Sequence, residues 1–362
     1  MSARRYVVDL SSVPARPAGV GRYGIELVQG LRALSTTDEF VSIVNSRRNE
    51  SLLRERIGEV PIDATAPANR VARLAWDRLL LGRRLRGATL YHGLHYTMPS
   101  HLKGVRVVTV HDLTMLDNPE WHEPSKVAYF RHAMRRASEG ADAIVMPSNA
   151  VRERFLSYFS PRSEPVVIPH GIHPLRDAPD SSTRDGGEVL YVGTIEPRKG
   201  IKELVWAFER AAEVREGLRL RIIGQIGWDA EPILSAIRTS RWSHRIEIEG
   251  YVSESALSEA YAKCQVFVYP SYAEGFGMPV LEAMSFGAPV VTTSPTAMSE
   301  VAADCATYCA PKDVDGLLEA MLGVLDDPLG ADERARRGLK RAAEFTWERS
   351  ARAHLELYRR LT

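Results

Sequence analysis

The sequence predicts an α/β protein built from two doubly wound domains that face one another across a cleft. Three observations predict it. Short apolar runs alternate with amphipathic segments of helical period along most of the chain, which is the pattern of parallel strands joined by crossover helices. The alternation stops between Pro174 and Gly187, where Asp, Ser, Thr and Pro accumulate, and then resumes, so this stretch reads as a linker. A length of 362 residues suits two domains of ordinary size better than one. The boundaries follow: a first domain over 1–172, a linker over 173–186, a second domain over 187–345 and a terminal helical segment over 346–362.

Bulk properties narrow the class. Apolar residues make up 44% and charged residues 26% of the chain, enough for two real cores. The net charge of +1 conceals a basic excess up to His170 and an acidic excess after it. Either the two halves meet different partners, or the charges are scattered. Cys264, Cys305 and Cys309 are too few and too unevenly spaced for a disulfide framework or a zinc knuckle, which fits a reducing compartment. The start, MSARRYVVDL, lacks the apolar core of a signal peptide. No stretch approaches the roughly 20 apolar residues of a membrane span. A cytoplasmic protein with no nucleic-acid partner is expected.

The first strand spans Tyr6 to Leu10 and is followed by a polar loop containing Pro14 and Pro17. A helical stripe follows: Ile25, Leu27, Val28, Leu31 and Leu34. Gly19, Gly21 and Gly24 match G-x-G-x-x-G, but a dinucleotide fingerprint follows its strand immediately and here the polar loop intervenes. The glycines, Gly21 among them, read instead as a backbone lip that can approach a phosphate or acceptor at the head of the first helix. A plain turn cluster explains them nearly as well. Phe40 to Val44 is the second strand.

The stretch 70–86 carries Arg70, Arg73, Arg78, Arg83, Arg84 and Arg86 around apolar positions. It can dock on an anionic membrane surface, at the inner face of the membrane, as a basic amphipathic helix. The commoner role of such a pattern is the solvated face of a core helix. Further strands then end in chemically capable residues: His92 and His95, His111 and Asp112, Ser148, and His170. Ligands of open α/β sheets bind outside the carboxyl ends of strands, so this clustering suits a site-bearing edge. A lone histidine there is usually structural.

In the second half, Val189 to Val192 is a strand, Gly193 to Gly200 a loop carrying Arg198 and Lys199, and Ile201 to Phe208 opens a helix. The organising stretch is SYAEGFGMPVLEAMSFGAPVV, Ser271 to Val291. It follows an apolar run that stops at Pro270, and it reads as tight loop, helix, strand. Glu274 and Glu282 flank Gly275, Gly277 and Pro279. Such a loop offers backbone N–H groups at a helix N-terminus, where a diphosphate is favoured. A nucleotide-sugar site is the functional reading.

Taken together, the HDL at His111, PSNAVRE, IPHGI, GTIEPRKG, EGYVSESAL and EGFGMPVLEA, in this order along the chain, resemble the family-4 retaining glycosyltransferases of the GT-B fold. The GTIEPRK and HDL elements look like those of bacterial mannosyltransferases that assemble surface polysaccharides. The resemblance implies two Rossmann-like domains, the first binding acceptor and the second the nucleotide-sugar, with the C-terminal helix crossing back to the first. It implies that Lys199 holds the donor diphosphate with Arg198 as helper, and that Glu282 takes both ribose hydroxyls. It implies that Glu274 orients the sugar and that the backbone of Gly275, Phe276, Gly277 and Met278 donates to sugar and phosphate. His111 is placed near the transferred sugar, and the base is read by backbone near Tyr251 and Val252. One position departs: many relatives carry arginine after the strand-ending glycine, whereas Thr194 follows Gly193 here.

The implied activity is transfer of a hexose, mannose from GDP-mannose in the first instance or a sugar from a UDP-sugar, to a glycan, lipid-linked or small-molecule acceptor. The nucleotide-sugar is a co-substrate; no separate cofactor is expected, and no metal, because no ligand-spaced His/Cys set is present. The rival readings are a sugar-nucleotide epimerase or phosphorylase on the same scaffold, an NAD-type oxidoreductase built on GVGRYG, and a non-catalytic partner subunit. The oligomeric state stays open.

Overall fold

The computed structural model describes residues 4–13, 19–45, 47–58, 61–67, 72, 75–76, 79–85, 87–173, 184 and 187–362. The chain divides into two compact units, one comprising the residues up to Gly171 together with Thr346–Thr362, the other Ile172–Phe345.

The first unit contains β1 (Arg5–Asp9), β2 (Glu39–Val44), β3 (Ile62–Thr65), β4 (Leu90–Gly93), β5 (Val105–Thr109), β6 (Ala143–Met146) and β7 (Val166–Val167). They form a seven-stranded sheet in the order β3-β2-β1-β4-β5-β6-β7, every pairing parallel. Val7, Val8, Ile43, Val107, Val108 and Ile144 are buried, the near-continuous apolar filling that parallel strands covered on both faces require. The chain winds outward from β1 to β3 and then jumps back to β4, so the winding reverses between β1 and β4.

The terminal helix, Trp347–Leu361, belongs to this unit and packs along the first helix, Val20–Leu34. Thr346 caps it by accepting from the Arg349 N–H at 3.2 Å. Gly30 permits the close approach, because a Cβ there would sit 2.5 Å from that of Ala351. A buried polar chain then fixes the register. His354 Nδ1 lies 2.7 Å from the Ser350 carbonyl, so it carries the proton, and Nε2 accepts from the Tyr23 hydroxyl at 2.9 Å. Tyr23 accepts in turn from Thr109 Oγ1 at 3.1 Å, and Thr109 accepts from His92 Nε2 at 2.8 Å. His92 Nδ1 accepts from the Tyr358 hydroxyl at 2.5 Å. Each donor has one acceptor, and both histidines are neutral.

The second unit contains β8 (Glu188–Val192), β9 (Arg219–Ile223), β10 (Ile246–Glu249), β11 (Val266–Tyr269), β12 (Val290–Thr293) and β13 (Thr307–Cys309). The six strands run in the order β10-β9-β8-β11-β12-β13, again all parallel. Val189, Leu190, Phe208, Phe267 and Val268 are among its buried core. Here the winding reverses between β8 and β11.

Several sequence expectations shift. Gly21 and Gly24 are not in a loop: the first helix already begins at Val20, with Gly19 at its N-cap, and Gly21 is buried in the first turn. Gly24 is a packing position, where a Cβ would meet Leu10 and Leu94 side-chain atoms at 2.8 and 2.9 Å. His92 lies within β4 and is fully buried in the polar chain, and Ser148 accepts from the Val151 N–H at 3.2 Å as a helix N-cap. His170 is buried with its ring 4.7 Å from that of Tyr23. These residues hold the fold together.

Of the basic stretch 70–86, Leu81–Arg84 is a short helix, while Arg70, Arg73, Arg78 and Arg86 lie outside the described residues. Most of the linker 173–186 lies outside them too, but Arg184 is anchored to the second unit by an ion pair with Asp332 and a 2.6 Å hydrogen bond to the Gly287 carbonyl. Among the described residues no helix is long and apolar enough to cross a membrane.

Candidate active site

Two loops meet at the reversal point of the second sheet, where an open α/β sheet places its ligand. The loop after β8 tightens into a 3₁₀ turn at Pro197–Lys199 and leaves through Gly200 at φ 66°. A Cβ on Gly200 would lie 2.2 Å from the Pro270 carbonyl oxygen, so only glycine lets this loop run against the one after β11. The Tyr272 N–H donates to the Arg198 carbonyl at 2.9 Å, stitching the loops together.

The stitching delivers Lys199 to Glu274. The Lys199 ammonium, with the residue 7% exposed, donates to Glu274 Oε1 and, at 2.9 Å, to the Tyr269 hydroxyl. The Tyr269 hydroxyl donates in turn to Glu274 Oε1 at 2.9 Å, and Ser271 adds a donor at 2.8 Å. Arg198 stands 3.4 Å from the same oxygen, bonds the Ala273 carbonyl at 3.0 Å and pairs with Glu196 at 2.7 Å. Burial pushes the Glu274 carboxyl up, but Lys199, Arg198 and the hydrogen bonds outweigh it and hold it at about 2. Burial also pulls the Lys199 ammonium down, against the pull of Glu274. The ion pair leaves both groups hydrogen-bonded, which is why it persists in so dry a place.

Beyond Glu274 the chain turns into the helix Met278–Ser285 through Gly277 at φ 97°. A Cβ on Gly277 would lie 2.6 Å from Met298 Cγ, so conformation and space both demand glycine. Pro279 occupies the first turn and no acidic residue stands there. The Met278 N–H is one of the groups that a helix start leaves without an intrahelical acceptor. Glu282 follows one turn later on the same face, half-buried, with Oε2 accepting from the Tyr261 hydroxyl at 3.3 Å.

Tyr251 and Val252 follow β10 at the same sheet edge. Val252 packs on the core, while the Tyr251 side chain is 76% exposed. Thr194 is exposed, and the cationic groups of the β8 loop are those of Arg198 and Lys199.

His111 and Gly21 belong to the first unit. His111 follows β5 and is buried, with Nε2 donating to the Leu94 carbonyl at 2.7 Å. Burial holds its pKa down to about 4, so the ring is neutral near pH 7. Asp112 is spent locally, since its Oδ1 accepts from the Thr114 N–H at 3.2 Å and hydroxyl at 3.0 Å.

The structure thus gathers Lys199, Arg198 and Glu274 into one cluster with the Gly275–Glu282 segment directly after it. Tyr269 and Ser271, which clamp the Glu274 carboxylate, were not singled out from the sequence. Their signal was modest: a tyrosine closing an apolar strand, and a serine one residue past the proline that ends it.

Comparison with known proteins fits this arrangement. The profile described as Glycosyltransferase Family 4 matches residues 17–176, and the one described as Glycosyl transferases group 1 matches 179–344. The chain is 29% identical, over an alignment of 376 positions, to the O-antigen chain mannosyltransferase B of Escherichia coli, covering 95% of this chain and 96% of that one. It is 31% identical over 225 residues to the glycogen synthase of Mycobacterium tuberculosis, covering 60% and 54% respectively. Among solved structures, sucrose-phosphate synthase from Thermosynechococcus elongatus superposes with a TM-score of 0.80 at 20% identity over 99% of both chains. HepE of Anabaena, in complex with UDP-glucose, does so with a TM-score of 0.77 at 15% identity over 99% of this chain and 100% of that one.

Proposed function

We propose, from the premise that this chain belongs to the GT-B glycosyltransferases, that it transfers mannose from GDP-mannose to an acceptor hydroxyl with retention at the anomeric carbon. The acceptor is a glycan, a lipid-linked glycan or a small molecule. Support for mannose comes from the whole-length similarity to an O-antigen mannosyltransferase. The observation that carries the reaction type is the buried cluster of Lys199, Arg198 and Glu274 beside a glycine-started helix, at the reversal point of the sheet.

The residues act as follows. An ammonium has three N–H groups; Glu274 and Tyr269 engage two of those of Lys199. The third is available to a phosphate oxygen. As the bond between the sugar C1 and the diphosphate oxygen breaks, its electron pair moves to that oxygen, and the fixed ammonium stabilises the charge that grows there. The backbone of Phe276, Gly277 and Met278 cradles donor oxygens at the helix start. Glu282 chelates the ribose hydroxyls, and Glu274, ionised and immobile, orients the sugar. The acceptor oxygen joins C1 on the face the diphosphate leaves, and its proton passes to the departing phosphate oxygen. His111 keeps Nδ1 as the acceptor for a sugar hydroxyl, because Nε2 is committed to Leu94. Diphosphate charge is met by Lys199, Arg198 and the helix start, so the reaction runs without a metal.

The test is a thermal-shift panel of GDP- and UDP-sugars followed by product analysis with the one that binds. A ligand at about 100 times its Kd stabilises the native state by about 2.7 kcal/mol. GDP-mannose is expected to give the largest shift. A UDP-sugar in its place would replace the donor assignment, and no shift with any nucleotide-sugar would end the reading.

A further inference from the structure

Tyr269, the last residue of β11, stands between the two charges of the buried ion pair. Its hydroxyl accepts an N–H of Lys199 at 2.9 Å and donates its own O–H to Glu274 Oε1 at 2.9 Å. A hydroxyl has one proton to give and lone pairs to receive with, so it can answer an ammonium and a carboxylate at once. We infer that Tyr269 is a positioning residue for the transfer: its hydroxyl holds the Lys199 ammonium at a fixed rotation, with the third N–H directed at the leaving phosphate oxygen. The inference rests on the transferase reading and adds a residue that acts through Lys199.

Two partners are what fix an ammonium. With Glu274 alone the group can turn about its Cε–Nζ bond, and the remaining N–H groups sweep a circle. With a second acceptor the third N–H has one direction. A donor that is already aimed stabilises growing charge without reorganising during the reaction. The second acceptor is itself immobile. Tyr269 is 1% exposed, and its ring lies nearly parallel to those of Tyr191, at 5.6 Å and 17°, and Phe267, at 6.0 Å and 13°. Its carbonyl accepts from the buried Thr292 hydroxyl at 2.8 Å. Gly193 keeps the loop after β8 clear of the stack, since a Cβ there would come 2.8 Å from the Tyr191 hydroxyl.

Ser271 supplies the contrast. Its hydroxyl donates to the same Glu274 oxygen at 2.8 Å and engages the carboxylate, not the ammonium. The two hydroxyls therefore act on the charge of Lys199 in opposite directions. Loss of the Ser271 hydroxyl takes a donor from the carboxylate, leaves its charge less spread and favours the ammonium. Loss of the Tyr269 hydroxyl does the same to Glu274, but it also takes an acceptor from the ammonium itself; that direct contact is the stronger, and the neutral amine is favoured. The other groups that face Lys199 are unchanged in both cases. Burial pulls its pKa down, Glu274 opposes that, Arg198 adds to it and Glu196 opposes it more weakly. Tyr191 stacks behind Tyr269, and Tyr272, whose hydroxyl Glu203 engages, lies against Gly200.

GDP release from GDP-mannose, with methyl α-D-mannopyranoside as acceptor and followed across pH, tests this. Tyr269→Phe keeps the ring and its stacks and removes only the hydroxyl. Its kcat should fall about tenfold, the worth of one hydrogen bond to a charged group, while the KM for the donor changes by less than about twofold. The thermal shift induced by GDP should stay that of wild type. The alkaline limb of kcat/KM, which reports the free enzyme, should move to lower pH in Tyr269→Phe and should stay or move to higher pH in Ser271→Ala. Wild-type kcat in Tyr269→Phe, or an alkaline limb that stays put there or moves down in both variants, would overturn the inference. Loss of the GDP-induced shift in Tyr269→Phe would do so too, because the hydroxyl would then be holding the fold. Wild type separates the two readings. If it releases GDP and Tyr269→Phe matches it, Tyr269 fails and the transferase stands; if it releases none, the GDP-mannose reading fails and this one with it.

Discussion

Lys199 donates to the Glu274 carboxylate and, at 2.9 Å, to the Tyr269 hydroxyl that itself donates to that carboxylate. The triangle binds the loops after β8 and β11 to each other, so the proposed phosphate cation and the proposed sugar-orienting acid form one unit. Replacing Lys199 by Met therefore has two consequences. Loss of a positioned donor to the leaving group should lower turnover by about a hundredfold to a thousandfold. Leaving Glu274 buried with only Arg198 nearby should also cost stability, on the order of 3–5 kcal/mol less whatever Arg198 recovers. The double variant Lys199→Met/Glu274→Gln removes the stranded charge and should regain most of the stability with none of the activity. Recovery of activity along with stability would show that Lys199 only supports the fold.

Glu282 calls for a different signature. It lies half-buried on the face of the helix that begins at Gly277, and its described partner is the neutral Tyr261 hydroxyl. A carboxylate that chelates two ribose hydroxyls contributes mainly to binding. Glu282→Gln should raise the KM for the donor about tenfold or more, with kcat falling no more than that, while the melting temperature stays close to wild type. A change confined to kcat would move Glu282 into the chemical step.

The strands were legible because a parallel strand covered on both faces is a plain apolar run; Val189 to Val192 needs no partner to be recognised. The glycine start of the helix at Gly277 was legible for a similar local reason. What could not be read was anything set by strand order. That Lys199 reaches Glu274 depends on β8 lying beside β11, and that Tyr269 serves as clamp depends on the same pairing. The histidines show the converse. His92, His95, His111 and His170 look alike as polar residues near strand ends, yet His92 is buried in a chain leading to Tyr358, 266 positions away, whereas His95 faces a cavity. Gly21 was misplaced because a helix start rich in glycine cannot be told from a loop until its flank packs.

Metal removal gives a clean check on the charge assignment. If Lys199, Arg198 and the amide groups at Gly277 and Met278 carry the diphosphate, transfer should proceed in EDTA at close to its full rate. Rates measured with EDTA and with added magnesium should agree within about twofold, well below the hundredfold scale of a missing leaving-group stabiliser. Strict dependence on magnesium would require a second source of positive charge and would displace Lys199 from its role.

The chain linking Ser350, His354, Tyr23, Thr109, His92 and Tyr358 makes the attachment of the terminal helix sensitive to acid. Both nitrogens of each histidine are spoken for in the neutral state, and a second ring proton would point at a group that is itself donating. His92 and His354 are fully buried. Burial holds His354 down to about 4 against its hydrogen bond to Ser350, and burial holds His92 well below its ordinary value, with His354 and His111 adding repulsion. The surroundings are mostly neutral or basic, Tyr23, Tyr358, His111 and His170, with Asp112 acting on His111. In the unfolded chain these rings titrate near 6.5, so between about 6.5 and 4 the unfolded state binds more protons, and native stability falls as pH falls. His354 contributes about 1.4 kcal/mol per pH unit across that window, and His92 acts in the same direction. The urea midpoint should therefore drop steeply between pH 7.5 and pH 5. Hydrogen exchange at pH 5 should show protection lost in Trp347–Leu361 before the helix Ile201–Val214 of the second unit. A midpoint that holds constant to pH 5 would mean that these histidines are not the neutral, committed groups that anchor the terminal helix.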